Sequence, residues 1–170
     1  MPLKRLAALV LVALLATCSG TGSQKSAGTK RLTVVTTMST LASLVEAVAG
    51  DRADVVNLVP VGVSPEDYQP TPKDIATLHD ATVLIENGTG LEAWLAHTVD
   101  AAKNPSLRIL VCTDGMPVKG NNPHLWMNPV YAKIYVSKIA QVLSAADPGG
   151  TATYRQNLAR YRGALDTLDA

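Results

Sequence analysis

Asn121-Asn122-Pro123-His124-Leu125-Trp126-Met127-Asn128-Pro129 is the stretch on which the reading of this chain turns. It holds one of three histidines and lies between a strand-like apolar run, residues 108–112, and a helical run from Pro129 to about residue 147. Pro123 drives Asn122 away from helical backbone, and Pro129 suits the first turn of the helix that follows. His124 is therefore expected on a stiff connector at the exit of a strand. In an open α/β sheet that end of the strand is where ligands bind, and connecting loops carry function more often than cores do. A histidine that only packs or caps within a loop is the other reading of the same spacing.

Strand and helix patterns alternate upstream of this stretch. Leu32-Thr33-Val34-Val35-Thr36-Thr37 is β-branched and apolar, which predicts a strand. Ser39 or Thr40 can cap a helix running to Ala49, with Leu41, Leu44, Val45 and Val48 at helical spacing and Gly50 as its stop. Residues 54–59 read as a second strand, stopped by Pro60. Thr71 caps and Pro72 opens a helix to about His79. Residues 82–86 form a third strand, Asn87-Gly88 turns the chain, 91–103 is helical and 108–112 is the fourth strand. Four such alternations with short connections predict an α/β fold, a four-stranded parallel sheet with flanking helices.

Beyond Pro129 the pattern is helical throughout. Ile134, Val136, Ile139, Val142 and Leu143 make broad apolar faces, Asp147-Pro148-Gly149-Gly150 breaks the helix, and Thr151 starts another. Tyr154, Leu158, Tyr161, Leu165 and Leu168 then recur at steps of three or four, a stripe still running at Ala170. The net charge is +1, so no basic surface points to nucleic acid and no acidic excess points to disorder. With no Phe, the core volume must come from Val, Leu, Ile and Ala.

Three motifs carry a resemblance. Pro123-His124-x-Trp126-x-x-Pro129 resembles the Asp-Pro-His-x-Trp-x-x-Pro signature of the metal-binding lipoproteins, or solute-binding proteins, of ABC-type zinc, manganese and iron importers, with Asn122 in the place of the usual Asp. Gly62-Val63-Ser64-Pro65-Glu66-Asp67-Tyr68-Gln69-Pro70-Thr71-Pro72 is similar to that family's Gly-x-x-Pro-His-x-Tyr-Glu-Pro-Thr-Pro loop. Asn87-Gly88-x-Gly90-Leu91-Glu92-x-Trp94 is similar to its Asn-Gly-x-x-Leu-Glu-x-Trp. The likeness runs from about residue 31 to the last residue.

The resemblance implies two βα lobes joined by one long helix, of which residues 31–147 match the first lobe and 148–170 the start of the linking helix. The expectation is a truncated form or a fragment of a longer product, with part of the packing partner of 151–170 missing. The family holds its metal between lobes on four side chains, two from the first lobe and two carboxylates from the second. Carried over by residue, His124 matches one histidine of the first lobe, and Glu66 stands where the family has the other. Asp67 is the alternative ligand if the loop takes another register. A carboxylate is a harder donor than imidazole, so this set favours manganese or ferrous iron over zinc, against the pull of the Irving–Williams order. No histidine-rich insert separates Asp114 from Pro123, which also disfavours zinc.

The first 18 residues read as an export signal, with Lys4 and Arg5 ahead of the apolar run 6–16, too short for a bilayer-spanning helix. Leu15-Ala16-Thr17-Cys18 resembles a lipobox, although Thr17 departs from the small residue usual before the cysteine. Lipidated at Cys18, the chain would sit on the outer face of the bacterial cytoplasmic membrane. Residues 19–30, rich in Gly, Ser, Thr and Lys, then read as a flexible tether. Cys112 would be left without a partner, as a buried inert thiol. The implied partners are a membrane permease and its ATPase.

Other readings compete. His79 and His97 lack acidic or histidine partners at ligand spacing and are expected at the surface. Tyr68, Trp94 and Trp126 are expected to pack around the two loops. Gly88-Thr89-Gly90 before a helix could cradle an anion, though no P-loop lysine follows. An enzyme is disfavoured, since neither a Gly-x-Ser-x-Gly elbow nor His-Glu-x-x-His occurs. A metal-independent surface interaction or adhesion module on the same fold is the alternative function.

Overall fold

The β-branched runs form the strands their spacing predicts. In a computed structural model that describes residues 31–168, four strands make one parallel sheet. They are β1 (Leu32–Thr36), β2 (Ala53–Asn57), β3 (Val83–Glu86) and β4 (Arg108–Val111), in the order β2-β1-β3-β4. The expected α/β class and strand count hold. Cys18, the leader and the tether lie outside the described residues.

Successive side chains on a strand face opposite sides of the sheet, and the core divides accordingly. Val34, Val83 and Ile85 join a cluster with α1 (Ser39–Ala49), α4 (Pro129–Ala146) and α5 (Thr151–Leu168). Val35 and Leu84 join a second cluster with α2 (Pro72–Asp80) and α3 (Leu95–Ala102). β1 and β3 are central and covered on both faces, whereas β2 and β4 are edges whose residues, Ala53 apart, are half-buried or exposed. Each buried Val, Leu or Ile contributes about 1.5–3 kcal/mol.

The helix ends show which local signals prevailed. The Asp74 carboxylate accepts from the Thr71 backbone N–H at 2.7 Å and from its hydroxyl at 2.8 Å, the expected cap of α2. Gly50, at φ 55°, ends α1 and returns its N–H to the Glu46 carbonyl. The cap of α1 differs from expectation: Met38 holds that position, in extended backbone and with no side chain capping. Its thioether chain is buried, so core packing places the start of this helix. α3 starts at Leu95 rather than 91, because residues 91–94 stay in a turn that delivers Glu92 back to the loop before it.

The break between α4 and α5 is tied to the far end of α1. Asp147 accepts from Tyr154 Oη at 2.7 Å and from Arg52 Nε at 2.8 Å, and these bonds hold its carboxyl below the usual range. Burial pushes Tyr154 up to about 12. Gly150 sits inside this knot, where an added Cβ would collide with Arg52, Asp147 and Tyr154. Along α5, Tyr154 and Leu165 are buried, Leu158 and Tyr161 are partly buried, and Leu168 is 75% exposed. Among the described residues no helix is long and apolar enough to cross a membrane.

Candidate metal centre

All four strands being parallel, their C-terminal loops share one rim. Glu66 and Asp67 ride on the loop after β2, and His124 on the loop after β4. These are the two outer strands, whose ends lie ~14 Å apart at ordinary strand spacing. Only long loops leaning inward can bring their residues together, and residues 58–71 and 112–128 supply that length.

The turn after β3 braces both loops. Trp94 Nε1 donates to the Pro65 carbonyl at 2.7 Å, and Asn87 Nδ2 donates to the Pro123 carbonyl at 3.0 Å. Pro65 precedes Glu66 and Pro123 precedes His124, so each candidate donor adjoins a residue anchored to this turn. The side chains of Glu66, Asp67 and His124 are all exposed. Aromatic rings pack around the loops as expected, Tyr68 against Trp94 at 5.1 Å between centroids and Trp126 beside His124 at 5.2 Å. His124 accepts its setting from Asn122, whose Oδ1 lies 3.0 Å from both the His124 backbone N and ring Nδ1.

Beneath the rim is a buried polar network that the sequence motifs contain without revealing its role. Glu92, 5% exposed, accepts from Thr37 Oγ1 at 2.7 Å and from the backbone N–H groups of Asn87 and Gly88 at 2.8 and 3.0 Å. Asn87 Oδ1 accepts from Tyr135 Oη at 2.7 Å, and its carbonyl accepts from the Thr113 backbone N–H and hydroxyl. Thus α4, β4 and the β1 loop all converge on one turn. Of the Gly88-Thr89-Gly90 stretch read above as a possible anion cradle, the Gly88 N–H is taken by the protein's own carboxylate, Glu92. Gly88 has φ 90°, and a Cβ there would overlap Val111 and Thr113.

Burial governs the titratable groups nearby. Glu86, at the end of β3, is pushed up to about 7 by desolvation, with the charge of Glu92 adding to it. Burial also raises the Cys112 thiol far above its ordinary value, which makes it the inert free cysteine expected. Lys138 Nζ donates to the Cys112 carbonyl at 2.8 Å and ties the strand end to α4. His79 and His97 are exposed, the former with Nδ1 2.9 Å from the Ala102 carbonyl.

Among the described residues no group of three or more His, Cys, Asp or Glu is placed to hold a metal ion. Any ion at this rim would draw at most two such donors from them.

The family model for the periplasmic zinc-uptake complex component A matches residues 34–170. The chain belongs to this zinc-uptake component A family. It is 37% identical to the iron ABC transporter substrate-binding lipoprotein MtsA of Streptococcus pyogenes, over 96% of this chain and 57% of that protein. It is 33% identical to the manganese ABC transporter substrate-binding lipoprotein PsaA of Streptococcus pneumoniae, over 94% of this chain and 56% of that one. The metal-dependent lipoprotein YcdH of Bacillus subtilis superimposes with a TM-score of 0.77 at 30% identity, covering 82% of this chain and 53% of the other. Zn(II)-bound AdcA of Streptococcus pneumoniae gives 0.74 at 30% identity, covering 82% of this chain and 31% of that one. The chain spans about half the length of the relatives it matches in sequence. Of these relatives, MtsA and PsaA are named as ABC transporter substrate-binding lipoproteins, the first for iron and the second for manganese.

Proposed function

We propose that this chain is the first lobe of the lipid-anchored receptor of an ABC importer for a divalent transition metal, which is its cargo. The pair of anchors on one turn, Trp94 to Pro65 and Asn87 to Pro123, carries the reading. They tie the Glu66 loop and the His124 loop, which leave strands that are not neighbours, to the same turn. Glu66 and His124 supply two donors, with Asp67 the alternative acid. Two carboxylates from a second lobe complete the set that the family resemblance implies. One imidazole among carboxylates suits manganese or ferrous iron better than zinc. The protein runs no reaction; it hands the ion to a permease driven by an ATPase. A lipid on Cys18 holds it at the outer face of the cytoplasmic membrane, and the naming of its relatives as lipoproteins supports that placement.

Two donors make half a site, and tight binding needs the full set. Calorimetric titration of the 170-residue chain with manganese and with zinc is expected to give binding weaker than about micromolar. Replacing both Glu66 and His124 by Ala removes it. Sub-micromolar binding by this chain, or binding untouched by the double replacement, overturns the reading.

A further inference from the structure

Asn122 makes a contact that constrains His124 beyond simple packing. Its amide oxygen lies 3.0 Å from the His124 backbone N and 3.0 Å from ring Nδ1. A backbone N–H can only donate, so the atom facing it must be the amide oxygen and not the amide nitrogen. That oxygen is an acceptor only, so the ring nitrogen beside it must carry the proton. The neutral ring then keeps its free lone pair on Nε2. Pro123 stiffens the link between the two residues, and Asn87 holds its carbonyl from below.

We infer that Asn122 is a positioning residue that locks His124 as the Nδ1-protonated tautomer and so makes Nε2 the nitrogen offered to a metal. The inference rests on the metal reading above and adds to it the atom that ligates and the residue that selects it. An orienting acceptor on the second ring nitrogen sets both the tautomer and the donor strength of a ligating histidine. A neutral amide does so more weakly than a carboxylate, so this position also sets the affinity low. The family signature quoted above has Asp here; Asn122 keeps the geometry and gives up the charge.

The test separates tautomer from metal. In the 15N-labelled full chain without metal, at mildly alkaline pH, long-range 15N–1H correlation is expected to show a protonated Nδ1 and a bare Nε2 for His124, assigned against a His124→Gln variant. In Asn122→Ala the population shifts toward the Nε2-protonated form that free histidine favours in water; in Asn122→Asp it stays as in the wild type. A wild-type ring already protonated on Nε2, or a tautomer ratio indifferent to Asn122→Ala, overturns the inference. Zinc ion is then added. Zinc is expected to move the Nε2 signal, with affinity about 10-fold weaker in Asn122→Ala and about 10-fold stronger in Asn122→Asp. Zinc that moves Nδ1 instead overturns the inference. The expected tautomers with no response of His124 to zinc would support the positioning and sink the metal reading, so the two failures are told apart.

Discussion

The turn after β3 and the two loops it braces are built on opposite terms. Asn87, Glu92 and Tyr135 are buried, and together they join α4 to the loops that follow β1, β3 and β4. Glu66, Asp67 and His124 are exposed, and the loops that carry them are anchored through neighbouring prolines. The residues that fix the shape of the rim are therefore not the residues proposed to meet the ion. This separation leaves those side chains facing water without weakening the fold, and it makes stability and the proposed binding independently mutable.

The strongest way to break that contrast is at Gly88. Gly88→Ala puts a side chain at φ 90° and into Val111 and Thr113, for an expected loss of at least about 3 kcal/mol in urea unfolding. A loss under about 1 kcal/mol would mean the turn is far less constrained than its contacts indicate. Next is Glu92→Ala, which strands the Asn87 and Gly88 N–H groups and the Thr37 hydroxyl. About 2–3 kcal/mol should go, with both loops loosened in amide exchange.

Glu86 sharpens the comparison through pH. Its folded value near 7 stands above the ordinary 4.5. Below the ordinary value the carboxyl is neutral in both states; as pH rises through 7 the folded protein must ionise a half-buried group and loses stability. From this group alone the wild type is more stable at about pH 5 than at about pH 8, by about 1 kcal/mol after allowance for its partial exposure. Glu86→Gln should flatten that slope, and an unchanged slope in thermal melts at the two pH values would count against the assignment. Smallest of all are Glu66→Ala and His124→Ala, each expected to change stability by no more than ~0.5 kcal/mol. A larger loss from either would show that the exposed donors also hold the loops.

Much of this was legible along the chain. The four strands, the stop at Gly50, the cap at Thr71 and the helix opened by Pro129 all follow from local rules acting within a few residues. Where reading failed, a distant partner had intervened. Residues 91–94 have helical spacing, yet Glu92 serves amides on the preceding turn and holds them out of α3. Ser39 and Thr40 are good caps, yet burial of Met38 decides where α1 begins. Tyr135 looks like any aromatic on a helix face, and nothing nearby in sequence marks it as the donor to Asn87.

The sequence by itself determined which segments become strands and helices, and named Glu66 and His124 as residues worth watching. Those are matters of backbone propensity, periodicity and motif. Only the tertiary structure decided that their loops, rising from the two outer strands, are drawn toward one central turn, because that turn is assembled from hydrogen bonds between residues far apart in the chain.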